Sequence, residues 1–370
     1  MKILFAGGGT AGHINPALAV ADYIKKLHPE AEISYIGTAE KLEAKLVPAK
    51  GYDFYTIKVA GFRRSFSPKA IIHNISAVKL AATSMLAAKK LIKKINPDIV
   101  IGTGGYVSGP VLKAAQKLGI KTAIHEQNAF PGVTTKMLAP NALKVMLAMG
   151  EAEKYLKLNK APVITGNPIR SELLSIDRET ARKKLGLGDK PLILSFGGSL
   201  GAKRINESVC ELIKWHNGTN KYYHIHATGK VGYDTFVEKL KGVTLSDHVK
   251  IREYIDDMDV CMAAADLVIC RAGAITLGEL QACGKPSILI PSPFVAENHQ
   301  YHNALTLKKD GAAELIEEKD LTDESLIKMV EDLLSNPDKL EKMAVAAKEN
   351  AIIDANERIY KIIMELLSAS

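Results

Sequence analysis

The chain has 370 residues, of which 47% are apolar and 24% charged, with a formal net charge of +8. This length and composition predict a globular protein of two domains and exclude a disordered or fibrous chain. The four cysteines form no CxxC pair, which disfavours a zinc ribbon or a disulfide framework. An apolar strand begins at Ile3 and no run of about 18 apolar residues follows, so we expect neither a signal peptide nor a membrane span. The positive charge favours an anionic partner without choosing among phosphate, lipid headgroups and nucleic acid.

One unit recurs along the chain: a short apolar run, a glycine-rich turn and a helical pattern. It is clearest in ILFAGGGTAGHINPALAVADYI and LILSFGGSLGAKRINESVCELI, and weaker in IVIGTGGYVSGPVLKAAQKLG and LVICRAGAITLGELQACG. Such alternation predicts βαβ units and parallel sheets. The second clear turn comes about 190 residues after the first, so the set occurs twice and predicts an α/β fold of two Rossmann-like, doubly wound domains.

The boundary between the domains is expected at VITGNPIRSELL, where Gly166, Asn167 and Pro168 interrupt two patterned regions. We therefore predict a first domain over 1–165 and a second over 166–349. The last segment, from about 350 to 370, contains the periodic helix AIIDANERIYKIIMELL with no strand after it. This helix is expected to pack back on the first domain.

The turn GGGTAGH has two interpretations. Glycine permits positive φ and close approach of the backbone to a ligand, and a helix N-terminus offers free N–H groups and a positive dipole end. The turn is therefore a phosphate cradle, or else only a tight connection between strand and helix. Pro16 suits the first turn of the helix that follows. Four such turns favour the cradle, because open α/β sheets bind ligands at the carboxyl ends of their strands.

Two other phosphate-binding classes fit less well. Gly7, Gly9 and Gly12 match the GxGxxG of dinucleotide-binding domains, but the next strand ends in Gly37 and Thr38, where a ribose-binding acid is expected. A P-loop is excluded because no Lys-Ser/Thr pair follows a glycine turn.

The sequence predicts no metal site and no cofactor. Asp257 and Asp259 match the DxD of metal-dependent sugar transferases, but their position before a helical pattern favours helix capping. His224 and His226 alternate along a strand, which is more typical of packing or of a surface than of metal ligation.

Seven motifs in order resemble the MurG-type transferases: GGGTAGHINPALA, GTGGYVSGP, HEQNAFPG, GNPIR, SFGGSLGAKRIN, RAGAITLGEL and VAENHQYHNA. The resemblance covers almost the whole chain. It implies the glycosyltransferase B fold, with two Rossmann-like domains facing across a cleft, the first for the acceptor and membrane side and the second for UDP-GlcNAc. It also implies inverting transfer of GlcNAc from UDP-GlcNAc to the 4-hydroxyl of the MurNAc-pentapeptide of lipid I, which gives lipid II. The family acts as a peripheral protein at the cytoplasmic face of the cell membrane, without nucleic acid.

The resemblance also implies roles for individual residues. His13 follows the first glycine turn and is the candidate base for the acceptor proton, since imidazole titrates near neutral pH; alternatively it only binds the acceptor or caps the turn. Arg170 and Ser199 are expected to meet the departing UDP, although Arg170 could instead be a surface salt-bridge residue. Glu279 is expected to accept from the ribose hydroxyls, or else to complement a helix dipole.

The remaining carried-over contacts concern the two substrates. Those for UDP-GlcNAc are Thr10, Ala11, Gly12, Asn128, Ile255, Ala274, Ile275, Thr276, Leu277, Gly278 and Gln300, with Ile255 presenting its backbone to uracil and Gln300 contacting sugar hydroxyls. Those for the acceptor diphosphate are Gly104, Gly105 and Tyr106.

The acceptor lipid predicts an anionic membrane surface as a partner. Residues at helical spacing form an apolar stripe (Ile71, Ile75, Val78, Ala82 and Met85), with basic residues on either side (Arg63, Arg64, Lys89, Lys90, Lys93 and Lys94). This pattern suits a bilayer surface, and equally a core-facing helix with a solvated face. The sequence departs from the family in lacking aromatic residues over 71–94 and in carrying Glu297 where Asp is common.

Rival functions remain from the sequence. A UDP-GlcNAc 2-epimerase shares the expected fold and needs no lipid. A transferase to another lipid, a sterol or an antibiotic aglycone, and a non-catalytic membrane or nucleotide-binding module, are further alternatives.

Overall fold

The computed structural model describes residues 1–59, 68–198 and 201–369, with 68–79, 81 and 82 described by their backbone alone. The chain forms two compact units. The first comprises Met1–Pro168 together with Asp354–Ser370, and the second is Ile169–Ile353.

The first unit is built on a parallel sheet of seven described strands in the order β3-β2-β1-β4-β5-β6-β7. Its strands are β1 Lys2–Gly7, β2 Glu32–Gly37, β3 Asp53–Thr56, β4 Ile99–Gly104, β5 Lys121–Glu126, β6 Lys144–Leu147 and β7 Val163–Ile164. Its helices are α1 Ala11–Leu27, α2 Glu43–Ala49, α3 Pro68–Ile95, α4 Gly105–Lys117, α5 Val133–Leu138 and the C-terminal helix Ala355–Ser368, with 3-10 turns at Ala139–Asn141 and Gly150–Tyr155.

Helices cover both faces of this sheet, which is why its central strands are continuous apolar runs. On one face α1 packs against β1 through Ile14 and Ile24, and the C-terminal helix adds Ile359 and Ile363 to the same core. On the other face α3 and α4 pack against β4. The C-terminal helix thus completes the core of the first unit.

The second unit has a parallel sheet of six described strands in the order β10-β9-β8-β11-β12-β13. Its strands are β8 Leu192–Phe196, β9 Tyr223–Ala227, β10 Val249–Arg252, β11 Leu267–Cys270, β12 Ser287–Leu289 and β13 Ala313–Leu315. Its helices are α6 Arg178–Leu185, α7 Lys203–Asn217, α8 Tyr233–Lys239, α9 Met258–Ala264, α10 Ala274–Ala282, α11 His299–Lys309, α12 Asp323–Leu334 and α13 Pro337–Glu349, with 3-10 turns at Ser171–Leu174 and Ala296–Asn298.

Both sheets confirm the predicted Rossmann-like, doubly wound fold. In each, the strand order reverses at one point, between β1 and β4 in the first sheet and between β8 and β11 in the second. The four glycine-containing turns recognised in the sequence follow these four strands. They therefore lie at the carboxyl ends beside each switch point, where this class of sheet binds ligands.

The long helices raise the question of membrane insertion. Over the residues that the structure describes, none of the helices combines the length and apolar character required to cross a bilayer.

Three buried histidines form a hydrogen-bonded chain in the core of the second unit. The hydroxyl of Ser195 lies 2.8 Å from His224 Nε2 and 2.8 Å from His226 Nδ1, and His216 Nε2 lies 2.9 Å from His224 Nδ1. All three rings are at most 1% exposed. Burial lowers the pKa of His216 to about 4 and that of His226 to about 3, and holds the pKa of His224 well below its ordinary value. His224 and His226 are therefore core residues that remain neutral at physiological pH.

These histidines predict a loss of stability on mild acidification. Below about pH 6.5 the unfolded chain binds a proton at each ring while the folded chain does not, so each histidine lowers the free energy of unfolding by up to about 1.4 kcal/mol per pH unit. Urea denaturation between pH 7.5 and 5.5 measures this slope. In His216→Gln the slope is expected to fall by about one proton's contribution, and an unchanged slope would contradict the assignment.

Candidate active site

The two glycine turns of the first unit are in van der Waals contact. Gly7 pairs with Gly104 in the register of β1 and β4, which brings the turns side by side. A Cβ atom added to Gly105 would lie 2.2 Å from the carbonyl oxygen of Gly8, and Gly105 has φ +78°. Only glycine satisfies both the conformation and the approach. The backbone itself therefore forms the floor of the candidate site.

His13 lies on this floor. It is the third residue of α1, its N–H donates to the Thr10 carbonyl at 3.1 Å, and its ring is half-buried. A Cβ on Gly104 would lie 2.6 Å from His13 Nδ1, so the ring packs directly against the Gly104 backbone. His13 Nδ1 is 3.0 Å from Gln127 Oε1. The structure thus brings together His13, Gly104 and Gly105 of the predicted set.

The expectation for Pro16 is wrong. Because α1 begins at Ala11, Pro16 lies in the second turn of the helix. The glycine-rich segment is shorter than we expected from the sequence, and Gly12 and His13 already belong to the helix.

Glu43 is a residue of this site that the sequence analysis missed. Its carboxylate is fully buried and accepts from Gly9 N at 3.1 Å, Thr38 N at 3.0 Å and Thr38 Oγ1 at 2.7 Å. It therefore ties the first glycine turn to the end of β2. The signal was an acidic residue beginning the helix after β2. The dinucleotide-binding pattern instead places an acid at the strand end itself.

Each helix after a glycine turn begins without a described side-chain cap. This holds for α1, α4, α7 and α10. The first N–H groups of a helix have no partner within the helix, so uncapped termini attract anions. Thr10 and Ala11 are exposed at the start of α1, Gly12 is partly exposed, and Tyr106 at the start of α4 is 59% exposed.

The HEQN segment at the end of β5 is held by internal hydrogen bonds. Glu126 is 3% exposed, and its two carboxylate oxygens accept from Asn128 N and Nδ2 at 3.1 Å, from Gly132 N at 3.2 Å and from Thr135 Oγ1 at 2.5 Å. These bonds leave Glu126 a structural carboxylate rather than a base. They also orient Asn128, which is partly exposed.

A cavity of about 480 Å³ lies at the switch point of the second unit. It is lined by both glycine turns and by polar and basic side chains, among them Gly198, Arg204, Arg271, Thr276, Gln300 and Glu318. Of the predicted donor contacts the structure places Thr276 and Gln300 on this cavity. Gln300 Oε1 is oriented by Ser292 N, which donates to it at 2.9 Å.

Three basic residues line this cavity, Lys203, Arg204 and Arg271, and the sequence does not single out any of them. Arg204 lies in the first turn of α7, and Arg271 directly follows β11. Arg271 donates to the carbonyls of Ile290 and Pro291 and pairs with Glu318 at 2.5 Å. A cation immediately after a buried strand was the signal that could have identified Arg271.

Arg170 and Glu279 pair with each other. Arg170 Nε lies 2.8 Å from Glu279 Oε1, with the arginine side chain 54% exposed and the glutamate 8%. Arg170 is thus a salt-bridge residue, whatever further contacts it makes. Glu279 is the sixth residue of α10, so dipole complementation at the helix start is not its role. Ala274, Ile275, Leu277 and Gly278 precede it in the same helix.

Other predicted residues lie elsewhere or outside the description. Ile255 follows the edge strand β10 with its side chain 3% exposed. Asp257 is paired with Arg252 Nη1 at 2.5 Å. Ser199, Arg63 and Arg64 lie outside the described residues, as do the side chains of Ile71, Ile75, Val78 and Ala82. Among the side chains that are described, no group of three or more His, Cys, Asp and Glu residues could hold a metal ion.

The described part of α3 has a buried face and a basic face. Ala88 and Ile92 are buried, and Met85 packs against the same core. Leu86 is 65% exposed, and beyond it the exposed residues are Ala87 and the four lysines Lys89, Lys90, Lys93 and Lys94. Met85 is therefore a core residue, and the lysines form the solvent face.

Glu297, which stands where Asp is common in the family, lies in the 3-10 turn directly before α11. Glu297 has φ +55° and Asn298 has φ +50°. This left-handed conformation is tolerated better by Asp and Asn than by longer side chains. Glu297 therefore imposes local strain one turn from Gln300.

Comparison with known proteins identifies relatives over the whole chain. Residues 3–147 match the glycosyltransferase family 28 N-terminal domain, and residues 192–359 match the glycosyltransferase family 28 C-terminal domain. The chain is 51% identical over 368 residues to the UDP-N-acetylglucosamine–N-acetylmuramyl-(pentapeptide) pyrophosphoryl-undecaprenol N-acetylglucosamine transferase of Acetivibrio thermocellus, covering 99% of this chain and 98% of that protein. It is 43% identical over 368 residues to the protein of that name from Bacillus cytotoxicus, covering 99% and 100%.

Solved structures also match over nearly the whole chain. The crystal structure of Acinetobacter baumannii MurG matches with a TM-score of 0.78 and 28% identity, over 98% of this chain and 99% of that one. The UDP-GlcNAc 2-epimerase of Neisseria meningitidis matches with a TM-score of 0.66 and 15% identity, over 99% and 100%. The second likeness extends to the fold alone.

The packing of His13 on Gly104 predicts a specific coupling. Gly104→Ala places a methyl group against the ring and forces alanine into positive φ, whereas Gly119→Ala, at φ +73° with open space around it, meets only the backbone penalty. That penalty is about 1–3 kcal/mol. We expect Gly104→Ala to cost more than Gly119→Ala in urea denaturation, partly because φ +106° and ψ −176° at Gly104 suit only glycine. We expect its cost to fall by at least about 1 kcal/mol in a His13→Ala background, where the clash with the ring is removed. An equal cost of Gly104→Ala in both backgrounds would show that the ring is not the obstacle.

Proposed function

Because this chain belongs to glycosyltransferase family 28, we propose that it transfers GlcNAc from UDP-GlcNAc to the 4-hydroxyl of the MurNAc-pentapeptide of lipid I, forming lipid II. The observation that carries this proposal is 51% identity, over 99% of the chain, to a transferase whose name specifies both the donor sugar and the lipid-linked acceptor. The epimerase alternative has only a likeness of fold behind it.

The transfer requires one base and one stabilised leaving group. The acceptor oxygen forms a bond to C1 of GlcNAc from the face opposite the nucleotide, which inverts that carbon. The bond between C1 and the β-phosphate oxygen breaks, and UDP leaves with the electron pair. The acceptor proton passes to the imidazole of His13, which stands at the start of α1 on the glycine floor. A positioned base of this kind contributes roughly 10²–10⁴-fold to the rate.

The second unit supplies groups suited to the departing diphosphate. Its switch-point cavity combines Arg204 and Arg271 with the N-terminus of α7, which has no described side-chain cap, and with Gly273 and Thr276 at the start of α10. Fixed N–H dipoles and cations stabilise charge that develops on a leaving group. We therefore assign UDP-GlcNAc to the second unit, with Thr276 and Gln300 on the donor, and the acceptor to the first. Arg170, held by Glu279, and Ser199 are assigned to the nucleotide diphosphate.

The membrane side is assigned to α3 on the basis of charge. Exposed Lys89, Lys90, Lys93 and Lys94 form one basic face beside the exposed apolar residues Leu86 and Ala87. Each lysine near an anionic surface contributes about 1 kcal/mol. We propose that this face gives the protein reversible, peripheral attachment to the cytoplasmic side of the cell membrane, where its acceptor resides.

The function predicts a defined assay result. With radiolabelled UDP-GlcNAc and lipid I in EDTA, the protein is expected to form lipid-linked disaccharide. His13→Ala is expected to lower kcat by about 10²–10⁴-fold, because the base is removed, while the folded state is retained by circular dichroism. His28→Gln, at the other end of the same helix, is the matched control and is expected to retain turnover.

Three outcomes would contradict the proposal. They are formation of UDP-ManNAc from UDP-GlcNAc alone, an absolute requirement for Mn²⁺, and full turnover by His13→Ala. The first would identify an epimerase. The second would indicate that Asp257 and Asp259 bind a metal ion, and the third would show that another residue takes the acceptor proton.

The basic face of α3 predicts salt-sensitive membrane binding. Replacing its four lysines by glutamine is expected to weaken binding to phosphatidylglycerol-containing vesicles by at least about tenfold at low salt, with little change on neutral vesicles. Co-sedimentation measures this. A control with the same charge change replaces four exposed lysines of the second unit, Lys183, Lys184, Lys241 and Lys342. Equal losses in both variants would show that net charge, rather than this face, governs attachment.

A further inference from the structure

We propose that Gln127 and His125 are positioning residues that fix the tautomer of His13, with the proton on Nδ1 and the lone pair on Nε2. This inference rests on the proposed function, since it names the atom of His13 that takes the acceptor proton. It follows from three consecutive hydrogen bonds whose directions are set by main-chain carbonyl groups.

The first bond fixes His125. His125 Nε2 lies 3.0 Å from the carbonyl oxygen of Gly166. A carbonyl oxygen only accepts, so His125 Nε2 must carry a hydrogen. In the neutral ring His125 Nδ1 is then an acceptor. The ring is 2% exposed, and burial lowers the pKa of His125, which keeps it neutral.

The second bond fixes the amide of Gln127. Gln127 Nε2 lies 2.9 Å from the carbonyl oxygen of His125 and 3.0 Å from His125 Nδ1. If the amide were rotated by 180°, its oxygen would face that carbonyl oxygen and the lone pair of His125 Nδ1. Two acceptor pairs would then be buried in contact, which costs far more than the hydrogen bonds gained. The nitrogen of Gln127 therefore faces His125, and its oxygen faces away.

The third bond transmits this orientation to His13. Gln127 Oε1 lies 3.0 Å from His13 Nδ1 and can only accept. Nδ1 must donate, and Nε2 of the neutral ring is left with its lone pair. In the other tautomer Nε2 would carry the hydrogen, and the ring could not accept a proton there from an alcohol.

The three hydrogen bonds that lead from Gly166 through His125 and Gln127 to His13 form a relay. The relay is rigid because the fold holds both His125 and Gln127 in place. Gln127 is 2% exposed, and its own carbonyl accepts from Asn167 Nδ2 at 3.1 Å. Thus the GNP segment after β7 holds the HEQN segment at the end of β5 at two points, through Gly166 and Asn167. The adjacent carboxylate of Glu126 is committed to Asn128, Gly132 and Thr135. A neutral amide, rather than a charge, therefore orients the ring.

A double-mutant cycle tests whether Gln127 acts through His13. Gln127→Met keeps the length of the side chain and removes both hydrogen-bonding groups. It is expected to lower kcat for lipid II formation by about 10–100-fold, with KM for UDP-GlcNAc changed less than about twofold, as for loss of a residue that orients a reactive group. In the His13→Ala background the same change is expected to alter the residual rate less than about twofold. A comparable loss in both backgrounds would overturn the proposal.

The matched control is Gln116→Met. Gln116 is a partly buried glutamine of α4 in the same unit, so its replacement tests the effect of losing an amide at a site outside the relay. It is expected to retain turnover. A loss of kcat equal to that of Gln127→Met would overturn the assignment of the effect to the relay.

A spectroscopic measurement separates this inference from the proposed function. Long-range ¹H–¹⁵N correlation spectra of histidine-labelled protein, with His13 assigned by its absence in His13→Ala, report which ring nitrogen is protonated. We expect protonated Nδ1 and unprotonated Nε2 in the wild type, and loss of this single tautomer in Gln127→Met. Protonated Nε2 in the neutral wild-type ring would overturn the relay even if lipid II forms. The expected tautomer in a protein that makes no lipid II would support the relay and refute the proposed function.

Discussion

The candidate site depends on the close approach of two backbone segments that only glycine permits. The turn after β4 lies against the turn after β1, with Gly105 above the Gly8 carbonyl and Gly104 beneath the ring of His13. This contact exists because β1 and β4 are neighbours at the switch point of a parallel sheet, paired in a register that aligns Gly7 with Gly104. The sheet topology therefore places the N-termini of α1 and α4, which have no described side-chain cap, beside the imidazole of His13.

Each unit uses a buried network of imidazole, hydroxyl or amide groups. In the second unit His216, His224, His226 and Ser195 hydrogen-bond to one another inside the core, although His226 Nε2 has no partner among the described residues, and desolvation keeps the rings neutral. In the first unit His125 and Gln127 do the same, but their chain ends at a half-buried ring on the glycine floor. Buried polar groups are costly unless every member finds a partner. The second network is enclosed in the core and has a structural role, whereas the first reaches the partly exposed ring of His13 and can orient it.

The sequence predicted those features that depend on local pattern. Alternating apolar runs and glycine turns predicted two doubly wound units, and the ordered motifs pointed to His13 and the turns around it. It did not reveal Glu43, because its partner Gly9 becomes its neighbour only when β1 and β2 pair. Gln127 and His125 were present within a recognised motif, yet their role depends on carbonyl groups of Gly166 and of His125 itself, which no spacing rule indicates. Pro16 was misplaced because α1 begins earlier than the last glycine, within the turn we took to be irregular.

The central claim is that Nε2 of His13 takes the acceptor proton on the glycine floor. A crystal structure of the protein with UDP and a soluble analogue of the lipid-linked acceptor would test it most directly. We expect His13 Nε2 to lie within hydrogen-bonding distance of the acceptor 4-hydroxyl, about 2.6–3.2 Å, while Nδ1 keeps its bond to Gln127. A 4-hydroxyl held by a different side chain, with His13 Nε2 out of reach, would contradict it.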